Sequence, residues 1–501
     1  MSDIPGSWVS RITGISVKPK NFNTGKVQML PQQLVIIGQG NDDVLYSLDK
    51  YECESSADAV GAKYGYGSPL HLAARQLFPT IGKTATFPVY ICPVKIGQSG
   101  FVKATGSVNV DGEAATANGN CILSIAGFDV QLAVTKDDTP ADFMAEMVEA
   151  INGTLGMPVT AEVIPAQEED PAYVKLTARW SGALGNRISL EFSGNVPGFT
   201  VVTTAFADGA GVPDVEGALE AIGSNIWATF ILNTFDYKNA DGSESVVLDK
   251  YFAFGEGRWS WLEKMPCYVI HGCVDDYATR TAISDNRKDD YINFYAISVG
   301  SPELPFAVAA RELLELLTTA NSNPAQGYTG NLTGLKRGGD DVQENATVRN
   351  NAVKKGSSTN ITSGSVASIN DVVSFYHPTG EGNFPARRYI VDGVKLMNIV
   401  YNLRIITEDP SVKASPLIPE DQPTSNPTAK SPKDFKTWFA NLAKSLGDNA
   451  LISDVDFTIK NMKVSIDSAN SKRVNYTFPV KVSGNIEVVD GDVLFGQYVG
   501  E

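Results

Sequence analysis

A chain of 501 residues is too long for a single hydrophobic core, and at roughly 100–200 residues per domain it predicts about three domains. Its 43% hydrophobic and 20% charged content excludes a disordered chain, and 45 Gly with 26 Pro predict many turns in a mixed α/β protein. A formal charge of −16 excludes a nucleic-acid binder, because phosphate contacts need a basic face that no large segment supplies.

Residues 1–32 carry Pro5, Pro19 and Pro31 and one short alternating piece, Thr13, Ile15 and Val17, which predicts an extended N-terminal arm. "LVIIG" at 34–38 then reads as a buried strand closed by a glycine turn. Helices are expected at 57–63 and 70–78, on either side of "YGYGSP", and a second buried strand at 87–94, so 33–99 has a β-α-β order. The texture changes over 100–205, where "SVNVDG", "CILSIAGFDVQLAV", "VTAEVI", "YVKLTARW" and "ISLEFSG" alternate as short strands. Only 140–152 has a helix pattern there, and the segment reads as an inserted β-rich domain. Buried strands return in 206–408 with "IWATFILNT", "PCYVIHGCV" and "YINFYAISV", followed by a helix at 307–317.

Six prolines between 409 and 432 exclude a regular helix or a central strand and predict a connector. Ser431, Pro432 and Asp434 then give an N-cap, a first-turn proline and an N3 carboxylate. Phe435, Trp438, Phe439, Leu442 and Leu446 fall on one face of the helix they open, which ends near Gly447. Residues 454–467 read as a strand whose apolar parity flips between Ile459 and Met462, as at a β-bulge. A turn at "SANSKR" leads to a terminal strand with Tyr476, Phe478, Val480, Val482, Ile486 and Val488 on one parity. An ordered strand at a chain end needs a pairing edge from somewhere. Residues 433–483 thus read as a C-terminal domain and 484–501 as an arm.

Few residues suggest chemistry. "IGKT" at 81–84 has the form of a P-loop end, but the glycine required five residues earlier is Leu77, so an exposed turn is expected. Cys267, His271 and Cys273 share one strand parity but lack a fourth metal ligand amid core-like neighbours. The acidic pairs Asp275/Asp276, Asp289/Asp290 and Asp340/Asp341 are expected to be solvated faces in a chain with 57 acids. The five cysteines are odd in number and scattered, which predicts a reducing compartment. The start "MSDIPGSWVS" has no signal-peptide pattern, and no apolar run approaches the ~20 residues of a membrane span. No catalytic residue, metal or cofactor is expected. Charge is uneven: residues 430–481 hold nine Lys or Arg against five Asp or Glu, a net of +4 set against −20 elsewhere.

"ADAVGAKYGYGSPLHLAARQLFP" followed by "FPVYICPV", then "AINGTLGMPVTAEV" and "VKLTARWSGALGNRISLEF", resembles contractile tail sheath proteins, most closely those of Mu-like bacteriophages. Tyr64 stands in the aromatic position before Gly65, and between about 240 and 390 only the general pattern matches. The resemblance implies an α/β body with an outward β-rich insertion and a C-terminal α+β domain with exchanged terminal strands. It further implies a helical homopolymer around a tail tube, with tail tube, baseplate and tail terminator proteins as partners. Such a protein is assembled in the host cytoplasm, resides in the virion tail, inserts in no membrane and binds no nucleic acid. The residues expected in strand exchange are Ile12, Ile15 and Val17 at one end, and Val480, Val482, Ile486, Val488, Val493 and Phe495 at the other. Lys433, Lys436 and Lys444 are expected to face the tube, and Gly484, Gly491 and Gly496 to act as hinges. A bacteriocin or injection-system sheath, and a soluble α/β enzyme, are the alternatives.

Overall fold

The computed structural model divides into two units, Met29–Tyr401 with Val482–Glu501, and Met1–Gln28 with Asn402–Lys481. It describes residues 27–48, 50–94, 100–167, 171–211, 213–379 and 385–495.

The larger unit opens with strands β1 (Leu34–Gly38) and β2 (Glu52–Glu54), helices α1 (Ala57–Tyr64) and α2 (Pro69–Leu77), and strand β3 (Val89–Pro93). The Tyr64–Ser68 turn between the helices needs its glycines. Gly67 has φ +82°, and a Cβ there would lie 2.2 Å from the Met157 carbonyl. Ser68 then caps α2 by accepting from the His71 N–H, with Pro69 in the first turn.

Residues 103–207 contribute β4 (Lys103–Asp111), β5 (Gly119–Ile125), β6 (Phe128–Val134), α3 (Pro140–Gly153), β7 (Val159–Ile164), β8 (Tyr173–Ser181), β9 (Leu190–Asn195) and β10 (Thr200–Ala207). They form two antiparallel sheets of their own, ordered β10-β4-β8-β7 and β6-β5-β9. Along β4 and β8 side chains alternate between buried and half-buried, and Val108, Leu123, Phe143, Met147, Val174 and Trp180 are buried together. Ala126 and Gly127, both at positive φ, make the two-residue turn that joins β5 to β6.

The chain then returns with α4 (Glu216–Ile222), β11 (Phe230–Asn233), α5 (Val247–Arg258), β12 (Tyr268–Cys273), α6 (Tyr277–Asn286), β13 (Asn293–Ile297) and α7 (Pro305–Ser322). Strands β13-β12-β11-β1-β3 run parallel, with β2 antiparallel at one edge. The faces of this sheet separate by period two. Leu34, Ile36 and Phe230 pack with Leu70 and Leu313, whereas Val35, Ile37 and Ile231 pack with Leu219 and Tyr251. Both faces are therefore apolar, which explains why β1 reads as an unbroken apolar run. Gly272 lets α7 approach β12 closely, since a Cβ there would meet the Pro305 carbonyl at 1.7 Å. β14 (Gly330–Asn331), α8 (Ala346–Lys354), β15 (Thr359–Ser363) and β16 (Val366–Asp371) complete a small sheet, and the chain leaves the unit within α9 (Ile390–Glu408).

The smaller unit holds α10 (Pro410–Lys413), α11 (Pro432–Asp448), α12 (Val455–Asn461) and the antiparallel pair β17 (Lys463–Ile466) and β18 (Val474–Thr477). The helix expected after Ser431 is present, with the Ser431 N–H donating to Asp434 Oδ2 at 2.7 Å. Phe435, Phe439, Leu442 and Leu446 are buried along it, and Trp438 is half-buried.

Three expectations are corrected. Residues 454–467 are not one bulged strand: Asp454 caps α12 by accepting from the Phe457 N–H at 2.9 Å, and the parity flip between Ile459 and Met462 is the passage from that helix into β17. The proline-rich connector begins with one helical turn, α10, because Pro410 sits at a first-turn position capped by Asp409. The terminal segment forms a strand over Val474–Thr477, and among the described residues 478–495 form no further strand beyond a single β-bridge at Val482.

Candidate assembly site

The residues that suggested chemistry are structural. Ile81 in "IGKT" lies on an exposed loop, and Lys83 pairs with Glu315 at 2.7 Å. His271 is buried, accepting from Asn233 at Nδ1 and donating to Asn293 from Nε2, both at 2.9 Å. Burial holds its pKa down to about 4, so it is a neutral core residue. Burial raises the Cys267 thiol to about 11 and the Cys273 thiol to about 12, which keeps both protonated. Among the described residues no cluster of three or more His, Cys, Asp or Glu could hold a metal.

Each acidic pair is at least partly committed. Asp276 caps α6 and Asp340 pairs with Arg337. Asp290 accepts from the backbone N–H groups of Ile292 and Asn293, both at 3.0 Å. Asp275 takes a two-pronged contact from Arg187 at 2.5 and 3.1 Å, with Tyr237 at 2.7 Å and Lys238 at 3.0 Å. It is largely buried, but these partners outweigh the desolvation and bring its pKa down to about 2.

Arg187 also pairs with Asp236 at 3.0 Å, and so marks a particular place. In open parallel sheets ligands enter outside the carboxyl ends of the strands where the order reverses, here between β1 and β11. That crevice is filled by the chain itself. Gln39 donates to the Ser181 carbonyl at 2.7 Å, and the cavity left among Gln39, Ser181–Leu184, Phe235 and Asp236 is about 10 Å³.

The terminal segment is held at its root and bare beyond it. Lys395 on α9, its side chain fully buried, donates to the Ser483 carbonyl at 2.5 Å, to Asn485 Oδ1 at 2.7 Å and to Asp392 at 2.9 Å. Asn485 donates in turn to the Ala325 carbonyl at 2.9 Å, and the Tyr389 hydroxyl bonds Glu487, whose carboxyl partial burial holds above its usual range. Ile486 within this latch, and Val488, Val489, Val493, Leu494 and Phe495 past it, are 85–96% exposed. Val480 and Val482 are half-buried. Ile12, Ile15 and Val17 lie outside the described residues. Gly484 falls between two residues that Lys395 holds, whereas Gly491 lies beyond the latch, and a Cβ on either glycine would meet nothing within 4 Å. Gly496 lies outside the described residues.

Sequence reasoning missed this latch. Its one local signal is a lysine at a core position of α9, three residues after an aspartate. Lys395→Met is expected to cost about 1–3 kcal/mol, because Asp392 and the Ser483 carbonyl lose their donor. Amide exchange over 483–487, read by mass spectrometry on the subunit, should rise at least tenfold; unchanged exchange would show that the latch does not hold the segment.

The lysines on α11 divide. Lys433 and Lys444 are exposed, eleven residues and so about 16 Å apart on nearly the same face, while Lys436 pairs with Glu420 at 3.3 Å. β17 and β18 form a two-stranded sheet whose outer edges are unpaired among the described residues. Their inner face packs on α11 through Val464, Tyr476 and Phe478, with the Tyr476 ring 4.9 Å from that of Phe439.

No protein-family profile matches the chain. It is 28% identical over 231 residues to the Mu-like prophage FluMu tail sheath protein of Haemophilus influenzae, a match that spans 45% of this chain and 44% of that curated relative. The sheath tail protein of Listeria innocua has the same fold, with a TM-score of 0.50 at 10% identity, over 93% of this chain and 96% of that one. The sheath tail protein of Desulfitobacterium hafniense aligns over 94% of this chain and all of that one, at 12% identity and a TM-score of 0.47. The chain is therefore similar in sequence to the Mu-like tail sheath family and in fold to tail sheath proteins, which are structural proteins and not enzymes.

Proposed function

We propose that this chain is the subunit of a contractile phage tail sheath, which stacks helically around the tail tube and shortens to drive the tube into the host envelope. The observation that carries this reading is the terminal segment, where six large apolar side chains within ten residues stand exposed beyond a buried anchor. Burying each is worth about 1.5–3 kcal/mol, so one arm offers on the order of 10 kcal/mol to whatever covers it. A neighbouring copy of the small unit supplies open strand edges, and strand addition satisfies the backbone while alternate side chains set register. Ile12, Ile15 and Val17 would add the matching N-terminal strand.

On this reading the α/β body forms the wall, residues 100–205 face outward, and the unit around α11 faces the tube, with the 409–432 segment as connector. Two arms on one body make the mesh multivalent, so it stays connected while subunits repack. The energy of contraction is interface burial in the shorter lattice, summed over many copies, and needs no nucleotide. The tube, baseplate and tail terminator proteins are its further partners, and assembly in the host cytoplasm precedes residence in the virion tail.

Negative-stain electron microscopy of the purified chain at rising concentration, with and without tube protein, tests this. Hollow tubes of uniform width are expected, and particles that never lengthen under either condition would overturn it. Reversing charge at Lys433 and Lys444 should lower co-purification with the tube about tenfold while sparing tube-free assembly. Lys436→Glu should do less, because that lysine is already engaged by Glu420. Wild-type co-purification of the double variant would remove these lysines from the tube contact.

A further inference from the structure

A cavity of about 960 Å³ lies between α2, α7 and the 78–83 loop of the larger unit. Two helices line it at four-residue spacing, α2 with His71 and Arg75 and α7 with Arg311 and Glu315. Arg311 is only 5% exposed, so its charge is withdrawn from water. Its Nη2 reaches just Thr333 at 3.3 Å and Glu315 at 3.6 Å, and its Nε has no partner among the described residues. Such loose contacts leave the desolvation of a buried guanidinium poorly offset. The groups beside it are donors as well. His71 Nδ1 accepts from the Gly67 N–H at 3.0 Å, and burial brings the pKa of the ring down to about 4, so it is neutral with its proton on Nε2. Arg75, whose guanidinium lies 4.8 Å from the Phe128 ring, has no ion pair among the described residues.

The lining carboxylates are already taken, Glu315 by Lys83 at 2.7 Å and Asp58 by the Tyr66 hydroxyl at 2.6 Å. Three cations, Arg75, Lys83 and Arg311, stand against these two acids, and one added negative charge neutralises the set. The rim is apolar. Ile81 is 90% and Leu155 70% exposed, with Phe78 and Pro79 half-buried. Gly156, at φ +83°, lets the turn that carries Leu155 come close, since a Cβ there would stand 3.1 Å from Arg75 Nη1 and 3.2 Å from His71 Cε1. We propose that this cavity is a carboxylate-binding site, in which Arg75, Arg311 and the His71 Nε2–H receive the carboxylate while the apolar remainder of the ligand covers Ile81 and Leu155. A carboxylate fits better than a phosphate dianion, because it brings a single charge and its two oxygens match a planar guanidinium. Two sources carry that chemistry, a free organic acid and an acidic side chain of a second copy. The site itself does not depend on the assembly reading above.

Isothermal titration of the full chain with hexanoate, at constant ionic strength, tests the site. Saturable binding of one hexanoate per chain is expected, with hexanol and inorganic phosphate each about tenfold weaker or worse, since the alcohol lacks the charge and phosphate the apolar body. Arg75→Met should weaken hexanoate about tenfold and leave the unfolding temperature unchanged, because Arg75 is exposed and methionine keeps a contact with Phe128. Arg311→Met should abolish binding; if that variant unfolds early through loss of its buried contacts, the exposed Arg75 variant decides. Absence of saturable binding, or wild-type affinity in Arg75→Met, overturns the site. Phosphate binding as tight as that of hexanoate overturns its carboxylate chemistry. Sedimentation velocity with and without saturating hexanoate then separates the sources: loss of self-association assigns the carboxylate to a second copy, and unchanged sedimentation assigns it to a free acid.

Discussion

Ending the chain after Glu487 is expected to leave a folded subunit that unfolds at the wild-type temperature and forms no polymer at any concentration. The removed residues carry five of the six exposed apolar side chains, and none of the described ones, 488–495, belongs to a buried core cluster. The latch is spared, since Ser483, Asn485 and Glu487 remain to meet Lys395 and Tyr389. A cut before Gly484 would be a worse experiment, because it strips Lys395 of a partner and mixes a stability defect into an assembly defect. Sedimentation velocity with electron microscopy reads the result. Polymers of ordinary length from the shortened chain would mean that the arm is not the joint.

The second large effect is expected at Glu312 on α7. Its side chain is buried, accepts from the Ile297 N–H, and has no partner at Oε1 among the described residues. Burial raises its pKa from 4.5 to about 8. The folded protein therefore holds a proton that the unfolded chain gives up between those values, and stability falls as pH rises through this window. At pH 7 the loss from this one group is about 3 kcal/mol, from 1.36 kcal/mol per unit. Glu312→Gln keeps the acceptor for Ile297 and removes the titration. The variant is expected to match wild type near pH 4.5 and to exceed it by about 3 kcal/mol at pH 7, as read from the urea transition of the larger unit at several pH values. Equal stabilities at both ends would mean that the carboxyl ionises in place.

What was legible in the sequence follows from how far apart the interacting residues are. β1, β3, β11, β12 and β13 are apolar on both faces because helices cover both, so the run itself announces each strand. β5 and β6 show alternation and a two-residue turn, and α11 carries its own cap and stripe. These signals are local. α9 was missed because its pattern is interrupted by polar side chains serving distant segments: Asn398 accepts from the Leu30 N–H and Asn402 from that of Gln28, each at 2.8 Å, more than 360 residues away in sequence. A separation of 88 residues in each case hid Lys395 with Ser483 and Arg187 with Asp275. The terminal alternation was visible, but the described chain supplies no strand edge beyond Thr477, so the sequence pointed to a strand where the structure forms only a single β-bridge at Val482. For α12, two short periodicities competed, and the cap at Asp454 decided for the helix.

The Arg187 contacts bear on how this protein can be engineered. An insertion that reads as an ornament is in fact a plug, and excising it wholesale would uncover Asp236 and Asp275, two carboxylates at the mouth of the parallel sheet that have lost their guanidinium. Displayed cargo belongs instead on the exposed turn at Asp111, Gly112 and Glu113, where added residues leave the plug seated. Trimming the insertion to a minimal version would have to retain the 181–189 stretch, with Ser189 bonded to the Pro302 carbonyl at 2.6 Å, as a short stopper.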